Sequence, residues 1–180
     1  MTKTKGTDIV SLRKVFQEQG TEREKAFVVS LPSDLQLLYQ TALHNTWTLV
    51  EKQTELYQRA AEFLYSGSPD IMRKLGKAMA GKSFSTVYRL FLRIPTLAFV
   101  ISRTAQIWGT YYDRGRASVE DFQPLSSARF VVRDVPDLPR ALREVVCGHL
   151  EVILELTGCL DIRIDLEEEP GQWIWRLRWR

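Results

Sequence analysis

Cysteine and histidine are the scarcest chemistry-bearing residues here: two of each in 180 residues, Cys147, Cys159, His44 and His149. Two cysteines make no disulfide framework and suit a reducing compartment, so a cytoplasmic protein is expected. No spacing among these four resembles a structural zinc site. Cys147 falls on the polar side of its expected helix and His149 on the apolar side, so the two diverge and no metal is expected. No Gly-x-Ser-x-Gly elbow is present, and a nucleophile would need a base that so few histidines scarcely supply. No catalytic residue is assigned, and an enzyme is not expected. Long apolar runs are lacking too. Arg and Pro break each one short of the ~20 residues a membrane span needs. Met1 to Gly6 is polar, with no apolar run behind it to suggest a signal peptide, and Met1 lacks the following Gly that myristoylation requires. An excess of one charge is also absent: 25 basic and 22 acidic side chains leave a net +3. Nucleic acid is therefore not an expected partner.

What is present is an ordinary globular balance, 44% hydrophobic and 26% charged residues, over a length that buries a core as one domain, residues 1–180. The clearest pattern is at Gly158 to Arg180. Leu160, Ile162, Ile164 and Leu166 alternate with Asp161, Arg163, Asp165 and Glu167. After Pro170-Gly171, the row Trp173, Trp175, Leu177 and Trp179 alternates with Ile174, Arg176, Arg178 and Arg180. Period-two alternation on both sides of a Pro-Gly turn predicts a β-hairpin with one dry face. A second hairpin is predicted where Ala117 and Val119, then Ala128, Phe130 and Val132, alternate with polar neighbours around Pro124 to Ser127.

Before the hairpins the period is helical. Helices are expected over Asp8–Glu18, from a Thr21 cap onward, over Asp34–Leu43 and over Trp47–Ser66. Another is expected from Ser68-Pro69 with Ser68 as its cap, then Ser83–Ile94, and Thr96–Tyr112 after Pro95. Asp137 is read as the cap of a helix running to Thr157, with the apolar stripe Leu138, Leu142, Val145, His149, Val152 and Leu156. The order is helices over about 7–112, then a ββαββ part over about 113–180, an α+β architecture with a helical bundle on a four-stranded antiparallel sheet.

Some features have a bland reading beside a functional one. Gly76-Lys-Ala-Met-Ala-Gly81-Lys82-Ser83 fits the letters of a phosphate loop, but it lies inside a helical stretch with no strand before it. Gly76 itself reads as a position of close helix packing, with a ligand approaching the backbone as the alternative. Arg89, Arg93, Arg103, Arg114 and Arg116 read as a solvated rim, with recognition of an acidic group at a pocket mouth as the alternative. His44 reads as a surface or turn residue, and His149 as a core histidine or a ligand contact.

With the chain in view, several stretches resemble a paralogous family expanded in myxobacteria that belongs loosely with the H-NOX, 4-vinyl-reductase and TRAPP-subunit fold. The likeness lies in order and spacing over residues 5–179: Lys5 to Gly20, Asn45 to Trp47, Arg73 to Pro95, Ile107 to Val119, Gly148 to Ile164 and Trp179. It implies a fold that holds a ligand between helices and a four-stranded sheet; the family has no established activity. Haem-binding relatives need an axial His on the helix before the sheet and a Tyr-x-Ser-x-Arg motif for the propionates. The stretch Thr96 to Tyr112 contains no His, and Tyr112-Asp113-Arg114-Gly115-Arg116 lacks the Ser. No haem, and no other cofactor, is expected.

The helices of Ser83–Tyr112 are apolar on more than one side, so they are either sandwiched or wall a cavity. The function expected is a non-enzymatic ligand-binding or sensory domain, with an apolar pocket for a lipid-like or other small hydrophobic ligand. Its expected contacts are Phe84, Tyr88, Phe91, Leu97, Ile101, Trp108 and His149. The alternative is an interaction or scaffold domain with a filled core, whose partner is a second copy in a homodimer or another protein.

Overall fold

Glycine, proline and short polar clusters cut the chain where the architecture turns. The computed structural model describes residues 1–91, 97–135 and 137–180, with backbone alone for 83–91 and for 98, 99, 101, 102 and 104. Among the described residues a short strand, β1 (Lys3–Lys5), leads into α1 (Thr7–Gln19), α2 (Thr21–Ser30) and α3 (Ser33–Thr41). A second short strand, β2 (Trp47–Leu49), pairs antiparallel with β1 and runs directly into α4 (Val50–Tyr65). Then come α5 (Ile71–Phe91) and α6 (Leu97–Tyr111). The chain closes with β3 (Arg116–Gln123), β4 (Ser127–Arg133), α7 (Arg140–Leu156), β5 (Arg163–Glu169) and β6 (Gln172–Arg178). The last four strands form one antiparallel sheet in the order β3-β4-β6-β5. This is the α+β architecture that the alternation predicts.

The sheet's dry face is the expected one. Ala128, Phe130 and Val132 of β4 are buried beside Trp175 and Leu177 of β6, with Phe130 opposite Trp175. Glu169 pairs with Gln172 around the Pro170-Gly171 turn, where Gly171 has φ 76°, a left-handed angle that suits glycine. Both hairpins bury more than one face, however. Val131 and Ile174 are fully covered on the opposite side. That face carries Arg129, Arg133, Arg176 and Arg178, which pair with Asp121, Glu169, Glu120, Glu167 and Asp165. Long charged side chains lay their stems over the apolar pair and keep their heads in water.

The helical part differs from expectation at its caps. Thr21 begins α2 without a side-chain cap, Gly20 preceding it at φ 98°. Ser68 receives Lys74 Nζ, and α5 starts only at Ile71, after Asp70 at φ 60°. The stretches expected to be two helices around Ser83 run as one, α5, to Phe91, and Leu92 to Ile94 lie outside the described residues. Asp137 caps nothing: α7 starts at Arg140 behind Pro139, and the Asp137 carboxylate accepts hydrogen bonds from Thr2 N at 2.9 Å and Thr2 Oγ1 at 2.6 Å. Sequence proximity favours the local cap, yet a backbone N–H and a hydroxyl arriving from the N-terminus offer the carboxylate two donors at once. Trp47 lies in β2 rather than in a helix and is half-exposed under Lys5 Nζ.

The helical layer holds its own aromatic cluster. Phe16 stacks on Phe27 with ring centroids 4.2 Å apart, and Tyr39 and Phe63 pack edge-on or tilted around them. Arg13 closes the end of α3 by donating to the carbonyls of Tyr39, Gln40 and Ala42.

Helices α5 and α7 cross at backbone distance. A Cβ on Gly76 would lie 2.2 Å from Val145 O, and one on Gly148 would lie 2.2 Å from Arg73 O. The reading of Gly76 as a packing glycine holds, and Gly148 is its partner. Arg73 then pairs with Glu144, and Lys77 with Glu151 and Glu155. On its other side α7 meets the sheet: Trp175 Nε1 donates to Arg143 O at 3.1 Å, and the buried Arg143 guanidinium lies 4.0 Å over Trp173 and pairs with Glu168. Sandwiched in this way, α7 buries more than its apolar stripe. Val146, Cys147, Leu150, Ile153 and Leu154 are buried, whereas Leu156 is 44% exposed.

Candidate functional site

The N-terminal residues tie both halves of the molecule to one place. Val50 N donates to Thr2 O and Gly6 N to Thr46 O, while Lys3 and Asp113 exchange two bonds, N to Oδ1 at 2.7 Å and N to O at 3.1 Å. Thr4 forms an isolated antiparallel bridge with Tyr112. The start of α1, the start of α4 and the end of α6 therefore meet, with α7 alongside.

Polar side chains point inward there. Asp8, in the first turn of α1, is 7% exposed; Gln53 on α4 is 1% exposed and Tyr57 is fully buried. Gln53 Nε2 donates to the Tyr57 hydroxyl, and Gln53 Oε1 has no hydrogen-bond partner among the described residues. Tyr112 is 7% exposed, beside the Thr4 with which it forms the bridge. His149 on α7 completes the group. Its residue surface is partly exposed, but Nε2 is shielded from solvent.

Burial and mutual charge set the protonation of this cluster. Burial pushes the Asp8 carboxyl above the ordinary carboxylate range, and His149 opposes part of that rise. Burial lowers the His149 imidazole, and Asp8 opposes part of that fall. The Tyr57 and Tyr112 phenols are raised by burial first and by Asp8 second, so both remain protonated. The result is two phenols, an amide, a carboxyl and an imidazole enclosed beside an apolar core.

That core begins one helical turn away. The Trp108 ring stacks on Tyr112 with centroids 4.0 Å apart, and Trp108 Nε1 donates to Arg114 O at 3.1 Å. Trp108 also meets Phe130 at 6.3 Å and Trp175 at 6.4 Å, so the aromatic floor of the sheet reaches the polar cluster through it. Of the residues expected to contact ligand, Trp108 and His149 are thus brought to the same cluster from α6 and α7. Leu97 is half-buried against the core. Phe84, Tyr88, Phe91 and Ile101 have side chains outside the described residues.

Sequence reasoning missed Asp8, Gln53, Tyr57 and Tyr112. A signal existed on α4. Gln53 stands four residues before Tyr57, on the same face as the buried row that includes Leu56 and Ala60. Asp8 shares a face with Leu12 and Val15 in the same way.

The cysteines are both free and buried, which corrects the placement of Cys147 on a polar side. Its thiol is pushed up to about 12 by burial, against the lowering effect of Arg73. His44 is exposed in a turn, as expected. Among the described residues no three His, Cys, Asp or Glu side chains gather as a metal site, and no helix is long and apolar enough to cross a membrane.

Comparison with known proteins defines the class of fold. No family model matches the chain, and no curated protein does. Solved structures do. An H-NOX protein from S. oneidensis in its Fe(II)NO state aligns with TM-score 0.67 at 12% identity, covering 98% of this chain and 99% of that one. The Fe(II) unliganded H-NOX protein from K. algicida aligns with TM-score 0.63 at 15% identity, over 98% and 96%. An oxygen-binding H-NOX domain related to soluble guanylate cyclases aligns with TM-score 0.59 at 12% identity, over 97% and 91%. The chain therefore has an H-NOX-like fold along nearly its whole length. The likeness to the myxobacterial family rests on the quoted stretches alone.

Proposed function

We propose that this protein is a non-enzymatic, cytoplasmic ligand-binding or sensory domain, and that its ligand is a small hydrophobic or lipid-like molecule other than haem. One observation carries the reading: a polar cluster enclosed in the core, in which a fully covered amide oxygen, Gln53 Oε1, lacks a partner among the described residues. An unpaired buried polar group costs roughly 1–3 kcal/mol. A core built only for stability would replace it with an apolar side chain, whereas a binding site keeps it for its ligand. The structural relatives named for oxygen and nitric oxide states make ligand binding a natural use of the fold.

The residues present do not fit haem. Helix α6, which precedes the sheet, carries no His, Cys or Met over Leu97–Tyr111. At the nearest counterpart of the propionate motif, Tyr112 is stacked on Trp108 and bridged to Thr4 through the backbone, and Arg116 is paired at the surface with Asp134. The interior His149 is on α7, in the field of Asp8.

Leu97 and Ala105 both border the core from α6 and offer a test. The neutral dye Nile red should bind the wild type with enhanced fluorescence. Leu97→Trp and Ala105→Phe should keep the unfolding midpoint and lose the dye. If both instead lower stability by the 1–3 kcal/mol typical of overpacking, and the wild type binds no dye, the core is filled and the reading fails.

A further inference from the structure

We propose that the ligand ends in a hydrogen-bond donor, a hydroxyl or a primary amine, that is received by Asp8 and Gln53 at the base of α1 and α4. This rests on the ligand-binding reading above and names the chemistry of the ligand's polar end.

Gln53 Nε2 is already committed to the Tyr57 hydroxyl, so the free end of that amide is an acceptor. Asp8 is a second acceptor when ionised, and its carboxylate lies in a nearly dry site where a donor or a cation gives the most stabilisation. The Tyr112 ring is stacked on Trp108. The described cations of the neighbouring helices are occupied elsewhere. Arg13 closes α3, Arg73 and Lys77 pair with glutamates of α7, and Arg143 pairs with Glu168. The titratable groups beside Asp8 are His149, whose neutral form burial favours, and the protonated phenols of Tyr57 and Tyr112.

A carboxylate or phosphate head would thus place a second negative charge beside an ionised Asp8, while the described cations named above are held by other partners. A hydroxyl head satisfies Gln53 Oε1 and Asp8. An ammonium head does the same and neutralises Asp8 as well. The apolar remainder of such a molecule would continue along Trp108 and Leu97, away from the polar cluster. Anions are excluded at this site and amphiphiles with donor heads are selected.

Displacement of Nile red by three molecules of equal chain length, dodecanol, dodecylamine and dodecanoate, tests this. Dodecanol and dodecylamine should compete at concentrations about ten-fold lower or more than dodecanoate, the margin one well-made charge-assisted hydrogen bond supplies. In Asp8→Asn the advantage of the amine over the alcohol should disappear. In Gln53→Leu both should weaken while Nile red binding persists. Equal or better competition by dodecanoate overturns the assignment of the head group and leaves ligand binding standing. Failure of all three to displace a dye that does bind also overturns the assignment. Failure of Nile red itself to bind removes the ligand-binding reading, and this inference with it.

Discussion

Asp8 sits where two effects oppose one another. The first turn of a helix favours a negative charge, yet the carboxyl is 7% exposed and burial wins, raising its pKa above the ordinary 3.8. A carboxyl so raised binds its proton more tightly folded than unfolded. Its contribution to stability is full below the unfolded value and is lost as pH rises through the folded one. His149 is the reverse case. Its pKa lies below the ordinary 6.5, so its contribution is present above that value and is lost as pH falls through the folded one. Asp8→Asn should therefore raise the urea midpoint at neutral pH, and the gain should fade towards acid. His149→Gln should hold its midpoint better than the wild type as pH drops below 6.5. Midpoints from about pH 4 to about pH 8 check both. A less stable Asp8→Asn at neutral pH would show that the carboxylate has a compensating partner and that the cluster is structural. These residues were hard to read in the sequence because one polar letter on an apolar face resembles an ordinary helix boundary or a surface position. Only the crossing of α1, α4, α6 and α7 makes them neighbours.

At the scale of elements the hairpins were legible and the caps were not. Alternation over β4 and β6 identifies the buried rows, because a strand's two faces are written directly into odd and even positions. Trp175→Ala should accordingly cost about 3–5 kcal/mol in urea denaturation, the range for a buried aromatic, with the bond to Arg143 O lost as well. An unchanged midpoint would mean that the ring is not held in the core. Caps depend on partners from elsewhere: Asp137 served Thr2 instead of its own helix, and β1 and β2 are too short to show a period. The helix crossing was half legible. Gly76 stood out as a mid-helix glycine, while Gly148, its counterpart, did not. Gly76→Ala and Gly148→Ala each push a methyl against backbone atoms that cannot turn aside. Each should destabilise by about 1–3 kcal/mol or more, against the small gain in helix propensity that Ala brings elsewhere. A gain in thermal midpoint from either variant would show that the helices are free to separate.

At the scale of the molecule, the α+β order could be read from the change from helical period to alternation after Tyr112, and the H-NOX-like fold matches it from end to end. The polar cluster was legible only in part. Of the residues singled out on apolar faces, Trp108 and His149 lie at it, whereas Asp8 on α1, Gln53 and Tyr57 on α4 and Tyr112 after α6 complete it from elements far apart in the chain. The ligand proposed here is a small molecule other than haem, since α6 carries no imidazole. Native mass spectrometry of the freshly purified protein tests that claim most directly. The account predicts a folded species carrying a small non-covalent adduct that disappears on denaturation, with no mass increment for haem. Stoichiometric haem, or a bare chain as monomer or homodimer with no adduct, would contradict it.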